Sequence, residues 1–189
     1  MSLIAALLVL KVLIIGDSIS IGYTPFVNDA LKERAQVVHN EGNAAHTRHG
    51  LLNLEKWLGS EKWDVIHFNF GLHDLKIMDT GSHQVPVEEY ESNLRQIVGR
   101  LRKTGAKLIW ATTTPVPAGN VSPLRRPADV ALYNAAAARV MQAEKIPVND
   151  LHAAAAANAA QWQRPVNVHY HSVGSQGLAR LVVQAITSK

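Results

Sequence analysis

The chain has 189 residues, of which 47% are hydrophobic, 18% are charged and none is cysteine. This length favours one domain with a substantial core, and the apolar content excludes an intrinsically disordered chain. The lack of cysteine excludes a disulfide scaffold and a cysteine-ligated zinc site. The net charge of +4 is too small to indicate nucleic-acid binding, so we expect no nucleic-acid partner.

An apolar run at residues 4–10 precedes the first predicted strand. It lacks the basic start and the cleavage site of a complete signal peptide, and it is shorter than the ~20 apolar residues of a membrane span. Residues 1–10 are therefore an extension of the first element, vector-derived residues or the remnant of a trimmed signal peptide. We predict no membrane span, and the compartment stays open between the cytoplasm and export to the periplasm or medium.

Short runs rich in β-branched residues alternate with helical patterns along the chain. The first, third and fourth runs are almost continuously apolar, as is typical of parallel strands covered on both faces. The predicted strands are residues 12–15, 36–39, 65–70, 107–112 and 147–149.

Helix signals lie between and after these strands. Thr24 followed by Pro25 is typical of an N-cap with proline in the first helical position, which predicts a helix from Thr24 to about Arg34. The other predicted helices are residues 47–58, 86–104, 127–145, 151–163 and 173–187. The alternation predicts one α/β domain over residues 1–189, a three-layer flavodoxin-like sandwich whose five-stranded parallel sheet has the order 2-1-3-4-5 and is flanked by helices.

Polar residues cluster where the predicted strands end. Ligands bind beyond the carboxyl ends of parallel strands, and the first three strands are neighbours in the predicted order. A serine, a histidine and turn N–H donors are therefore expected to converge at one place. The clusters are Gly16-Asp17-Ser18, residues 40–47, Gly71-Leu72-His73-Asp74 and, before the last helix, Asn167-Val168-His169-Tyr170.

These clusters, taken in order, resemble the motif blocks of the SGNH or GDSL-type hydrolase family. Gly16-Asp17-Ser18 matches the nucleophile block, Asn40-x-Gly42 with Thr47 the second block, residues 71–74 the third, and His169 the base histidine. The resemblance covers residues 11–179. It implies Ser18 as nucleophile, His169 as base, and an oxyanion hole made by the N–H groups of Ser18 and Ala45 and by the His73 ring.

The same resemblance implies a serine esterase or acylhydrolase that needs no metal and no organic cofactor. Its expected partner is a small-molecule or carbohydrate ester, with acetyl groups as the expected acyl part. The sequence leaves open the exact acyl group, the leaving alcohol and the oligomeric state.

Three positions depart from the family pattern. Ala45 stands where the family has a glycine, and His73 stands where it has an asparagine. A charged His73 would make activity depend on pH. The family's triad aspartate lies three residues before the base histidine, and that position is Val166, with Asn167 next to it. Asn167 can orient the His169 ring but cannot stabilise an imidazolium ion as a carboxylate does.

Three explanations of the missing aspartate are open. We favour a dyad of Ser18 and His169 in which a backbone carbonyl holds the ring. The second is an acid from elsewhere, such as Asp150, although helix capping is the favoured role of that residue. The third is a ligand-binding domain that has lost efficient catalysis.

Further polar residues are candidates for supporting roles. We expect Asp17 and Asp74 to brace their turns, and Asn43 either to donate to the oxyanion or to form a turn. The nine histidines leave a metal-assisted hydrolase as a weaker alternative, but no tight ligand motif is present and we predict no metal site. The candidate substrate-pocket residues are His46, Tyr170, His171 and Arg125.

Overall fold

The computed structural model describes residues 9–188 of the chain. Most of the N-terminal segment 1–10 lies outside the described residues, so its interpretation stays a prediction. Within the described part, no helix combines the length and apolar character needed to cross a membrane.

Five parallel strands form one sheet. They are β1 (Leu10–Ile15), β2 (Ala35–His39), β3 (Val65–Phe68), β4 (Lys107–Ala111) and β5 (Val148–Asn149). Their order is β2-β1-β3-β4-β5, which confirms the predicted topology. The β1 side chains from Val12 to Ile15 are buried. Both faces of the sheet are covered, and this explains the continuous apolar pattern of β1.

Helices complete the sandwich. They are α1 (Ser18–Leu31), α2 (Thr47–Leu58), α3 (Val87–Arg102), α4 (Pro127–Ala143), α5 (Leu151–Ala157), α6 (Ala159–Trp162) and α7 (Ser172–Thr187). Helix α1 packs against α7, and α3 packs against both α2 and α4.

The predicted start of the first helix at Thr24 is wrong, because α1 begins at Ser18 and Pro25 lies inside it. The Asp17 side chain caps the helix by accepting a hydrogen bond from Ile19 N–H at 2.9 Å. Proline removes one helical hydrogen bond. The buried side chains of Tyr23 and Val27, on either side of Pro25, pack into the core and offset that loss.

The single helix predicted for residues 151–163 is also wrong, because it is interrupted at Asn158 between α5 and α6. Asn158 Nδ2 donates to the Ala154 carbonyl at 2.9 Å. Asparagine side chains compete in this way with the regular backbone pattern. Strand β3 likewise ends at Phe68 rather than at residue 70.

The carboxyl ends of β1, β2 and β3 lie side by side, with Ile14 opposite His39 and Ile15 opposite Phe68. The Asn40 side chain accepts from Gly16 N–H at 2.8 Å and so joins the turns after β1 and β2. The loops that carry the sequence blocks therefore leave the sheet from one edge.

Candidate active site

Ser18 and His169, which are 151 residues apart, are in hydrogen-bond contact, with Ser18 Oγ 2.8 Å from His169 Nε2. Ser18 is the first residue of α1 and follows the turn after β1. The amides of a first helical turn have no partner inside the helix, so Ser18 N–H lies in a position suited to donation to an anion.

Asn167 holds the other side of the His169 ring. Its Oδ1 lies 2.9 Å from the backbone nitrogen of His169 and 2.7 Å from His169 Nδ1. A backbone N–H can only donate, so the atom that it contacts is the amide oxygen rather than the amide nitrogen. The same oxygen therefore accepts from Nδ1–H, and Nε2 is left unprotonated to accept from Ser18.

The sequence favoured a backbone carbonyl as the partner of Nδ1, but the structure places the Asn167 side-chain oxygen there. Asp150 does not take that position either. Its carboxylate accepts from Ala153 N–H at 3.0 Å as the N-cap of α5, and also from the Thr112 hydroxyl at 3.0 Å. A neutral amide therefore stands where a triad acid is expected.

The His169 ring is kept in its neutral form. Burial lowers the pKa of His169 below its ordinary value, and the positive charges of Arg164 and Arg125 lower it further against the opposing charge of Asp17. A neutral imidazole with a free Nε2 lone pair is the form that accepts a proton from a serine hydroxyl.

Ala45 does not offer a free N–H group. Its N–H donates to Asn43 Oδ1 at 2.8 Å, so Asn43 forms a turn through its side-chain oxygen. Ala45 has a φ of 53°, in the left-handed region that glycine adopts at lower cost. This conformation is consistent with the glycine that the resembled family has here. Ala45 N–H can reach an oxyanion only after Asn43 releases it.

His73 offers a donor. Its Nδ1 lies 2.9 Å from Lys76 Nζ, and because an ammonium group only donates, Nδ1 must accept. The ring proton is therefore on Nε2. Burial, together with the charges of Lys76 and Arg125, lowers the pKa of His73 to about 3. His73 thus stays neutral near pH 7, and its Nε2–H does not depend on pH there.

Asp74 braces the site from behind. Its buried Oδ1 accepts from Thr47 N–H at 2.8 Å and from the Thr47 hydroxyl at 2.6 Å, which ties the loop after β3 to the start of α2. Desolvation by burial raises the pKa of Asp74 to about 7. Asp17 is also buried, and burial raises its pKa above the ordinary value.

The four predicted pocket residues take different positions. Tyr170 lines a cleft beside Ser18, whereas His171 is the exposed N-cap of α7. His46 is the N-cap of α2, with its Nδ1 accepting from His49 N–H at 3.3 Å. Arg125 is only 4% exposed, and its Nε donates to the Leu72 carbonyl at 2.7 Å.

The cleft beside Ser18 has a volume of about 340 Å³ and runs between α1 and α7. Sequence reasoning missed several of its residues, because they lie on helix faces and loops outside the motif blocks. The only available signal was a basic residue shortly before the base histidine, Arg164. The missed lining residues are Ile19, Gly22, Phe26, Arg164, Ser172 and Ser175.

Within residues 9–188, no group of three or more His, Asp or Glu side chains is arranged to hold a metal ion.

A family model described as the GDSL-like lipase/acylhydrolase family matches residues 14–176 of the chain. No curated protein sequence is significantly similar to it.

Solved structures with the same fold have low sequence identity to this chain. A lipase/acylhydrolase from Enterococcus faecalis is 23% identical with a TM-score of 0.81, over 94% of this chain and 95% of that one. The acetyl xylan esterase AlAXEase is 17% identical with a TM-score of 0.80, over 94% of this chain and 100% of that one. A catalytic mutant of an acetylxylan esterase from Geobacillus stearothermophilus is 20% identical with a TM-score of 0.79, over 95% and 94% of the two chains.

Proposed function

We propose that this chain, which belongs to the GDSL-like lipase/acylhydrolase family, cleaves small acyl esters with Ser18 as nucleophile and His169 as base. The observation that carries the proposal is the 2.8 Å contact between Ser18 Oγ and His169 Nε2, with the opposite ring nitrogen donating to Asn167. This is the geometry of a serine activated by a correctly oriented imidazole.

In the first half of the reaction, Ser18 Oγ attacks the ester carbonyl carbon while its proton passes to His169 Nε2. The resulting imidazolium keeps its Nδ1–H on Asn167 Oδ1. His169 then gives the Nε2 proton to the leaving alcohol oxygen as the C–O bond breaks, and the acyl group remains on Ser18. In the second half, His169 takes a proton from water, the hydroxide oxygen attacks the acyl carbon, and Ser18 Oγ leaves with the proton.

The negative oxygen of each tetrahedral intermediate needs N–H donors. We assign this role to Ser18 N–H and His73 Nε2–H, joined by Ala45 N–H when Asn43 Oδ1 releases it. Each donor of this kind lowers the barrier by roughly 3–4 kcal/mol. The neutral state of His73 suits it to this role, because its proton is on the nitrogen not engaged by Lys76.

We further propose acetyl esters of carbohydrates as the substrates. Two structures with this fold are acetylxylan esterases by description. The cleft of about 340 Å³ beside Ser18 carries polar side chains suited to a hydroxylated alcohol.

A ligand-binding domain with little turnover is the second candidate. Two observations favour it: the neutral Asn167 in place of a carboxylate, and the Ala45 N–H group that already donates to Asn43. This candidate predicts that an acetylated sugar raises the melting temperature of the protein without being hydrolysed.

The deciding experiment compares p-nitrophenyl acetate hydrolysis by the wild type, Ser18→Ala and Ser60→Ala. Ser60 is an exposed serine in the turn after α2 and serves as the matched control. We expect Ser18→Ala to lower kcat by at least ~10³-fold, because the nucleophile is lost. A fluorophosphonate should label the wild type and Ser60→Ala but not Ser18→Ala. Equal hydrolysis by the wild type and Ser18→Ala would exclude Ser18, and no turnover by any of them would favour the binding domain.

A further inference from the structure

The cleft beside Ser18 has one charged wall. Among the described residues that line the cleft, Arg164 is the one with a permanently charged side chain, and none of them is Asp or Glu. Arg164 is exposed, and the ion pairs of the described residues do not include it. Its guanidinium charge is therefore available to a bound molecule.

The N-terminus of α7 lies at the same cleft. This helix begins at Ser172 and has 16 residues, no acidic residue in its first turn and no side-chain cap. Gly174 N–H and Ser175 N–H donate to the His171 carbonyl, which leaves the N–H groups of Ser172 and Val173 as the first amides able to bind a ligand. Together with the positive end of the helix dipole they favour a negative charge next to Ser172.

The Ser175 hydroxyl adds a hydrogen-bonding group to the same cleft. Ser175 lines the cleft and is 9% exposed, and its Oγ has no hydrogen-bond partner among the described residues. A Cβ at Gly22, on the facing helix α1, would lie 3.4 Å from this Oγ. The lack of a side chain at Gly22 leaves the Ser175 hydroxyl open to the cleft. The Oγ is not one of the fully buried polar atoms that lack a partner, so it is accessible from the cleft and can donate to a ligand oxygen.

Two further cations stand behind the reacting groups. Lys76 Nζ contacts His73, and the buried Arg125 donates to the Leu72 carbonyl. Neither forms an ion pair with a carboxylate of the described residues. Asp17 is the buried carboxylate whose charge acts on Arg125. Asp17 and Asp74 both act on Lys76. Two buried carboxyl groups therefore accompany the three positive side chains Arg164, Lys76 and Arg125.

The cleft lies on the side of Ser18 that would receive the alcohol half of a substrate. His169 must protonate the leaving oxygen, so the alcohol extends on the His169 side of Ser18. Arg164, Ser172 and Ser175 line that side, whereas His73 and Ala45 belong to the oxyanion side.

We infer that the cleft between α1 and α7 selects esters whose alcohol half carries a carboxylate, such as an acetylated uronic acid. The Arg164 guanidinium, the first amides of α7 and the Ser175 hydroxyl bind that carboxylate. This inference rests on the proposed esterase function and specifies its substrate class.

The test compares a methyl glucuronide and a methyl glucoside that carry one acetyl group on the same hydroxyl. We expect kcat/KM to be about tenfold higher for the glucuronide at about 0.01 M ionic strength. The ratio should approach one at about 1 M, where the Debye length falls to ~3 Å. Arg164→Gln should reduce the ratio by a similar factor, and Arg164→Lys should restore part of it. Arg34→Gln, an exposed arginine next to the start of β2, is the control that should leave the ratio unchanged.

Binding measurements keep the two proposals separable. Calorimetry on Ser18→Ala, which cannot form the acyl enzyme, should give a lower Kd for the acetylated glucuronide than for the glucoside. If the wild type hydrolyses both esters equally at every ionic strength, the carboxylate subsite is wrong and the esterase function stands. If no ester is hydrolysed but Ser18→Ala prefers the glucuronide, the esterase function fails while the subsite survives. Equal binding of both by Ser18→Ala would overturn the subsite.

Discussion

Asn167 determines how well a positive charge on the His169 ring is stabilised. Its Oδ1 fixes the ring with the proton on Nδ1, which is the form that a general base requires. It supplies orientation without the negative charge that would stabilise the imidazolium. The structure therefore separates two roles that a triad carboxylate normally combines.

Asn167→Asp tests this separation. A carboxylate next to Nδ1 raises the pKa of His169 and stabilises the cation formed on attack. We expect kcat for an acetyl ester to rise by about tenfold at pH 7. Activity requires neutral His169, whose pKa lies below 6.5 in the wild type, so the rise of kcat/KM with pH should move to higher pH in the variant. Asn28→Asp makes the same charge change at an exposed position of α1. An unchanged pH profile in Asn167→Asp would contradict the assigned contact.

At the scale of the elements, the contact between α6 and α7 holds the segment that carries His169. Gln163 pairs with Tyr170 across this segment, and His171 N–H donates to the Trp162 carbonyl at 2.8 Å. A Cβ at Gly177 would lie 2.4 Å from the Trp162 ring. Helix α7 can approach α6 this closely because residue 177 has no side chain.

Gly177→Ala should therefore lower the free energy of unfolding by about 1–3 kcal/mol, since the Trp162 ring must shift to accommodate the methyl group. Gly99→Ala is the matched control, because Gly99 lies in helix α3 with open space around its Cβ position. That change should raise the free energy of unfolding by about 0.5–1 kcal/mol. Urea unfolding monitored by circular dichroism measures both, and equal effects of the two changes would show that the α6–α7 contact is not tight.

For the whole molecule, the buried Asp74 carboxyl makes global stability depend on pH. Its pKa is about 7 in the folded chain and 3.8 for an ordinary aspartate, so the folded state binds this proton more tightly. The contribution of Asp74 to stability therefore falls as pH rises from about 4 to about 7.

Asp74→Asn should remove this dependence, because the amide keeps an oxygen for Thr47 and has no charge to bury. We expect the wild type to lose more stability between about pH 4 and about pH 8 than Asp74→Asn loses. Unfolding midpoints in urea measure the difference. Asp29→Asn, at an exposed position of α1, should behave like the wild type. If the stability of Asp74→Asn and of the wild type had the same pH dependence, the pKa of Asp74 would not be raised in the folded chain and its carboxyl would already be ionised at low pH.

The sequence predicted the sheet order because strand–helix alternation leaves few ways to build a parallel sheet. It failed at the ends of elements. Thr24-Pro25 had the pattern of a helix start, yet Asp17 caps the helix earlier and the packing of Tyr23 and Val27 continues it through Pro25. Local propensity is a weak guide where a buried face decides.

By itself the sequence determined the fold class, the family resemblance and the pairing of Ser18 with His169 as an expectation, because these depend on the order of residues along the chain. Only the tertiary structure decided which atom faces His169 Nδ1, that Asn43 engages Ala45 N–H, that Lys76 sets the tautomer of His73, and that Arg164 lines the cleft. Hydrogen bonds and charges act through distances of a few ångströms between side chains. Those distances arise when separate elements pack together, and no local pattern encodes them.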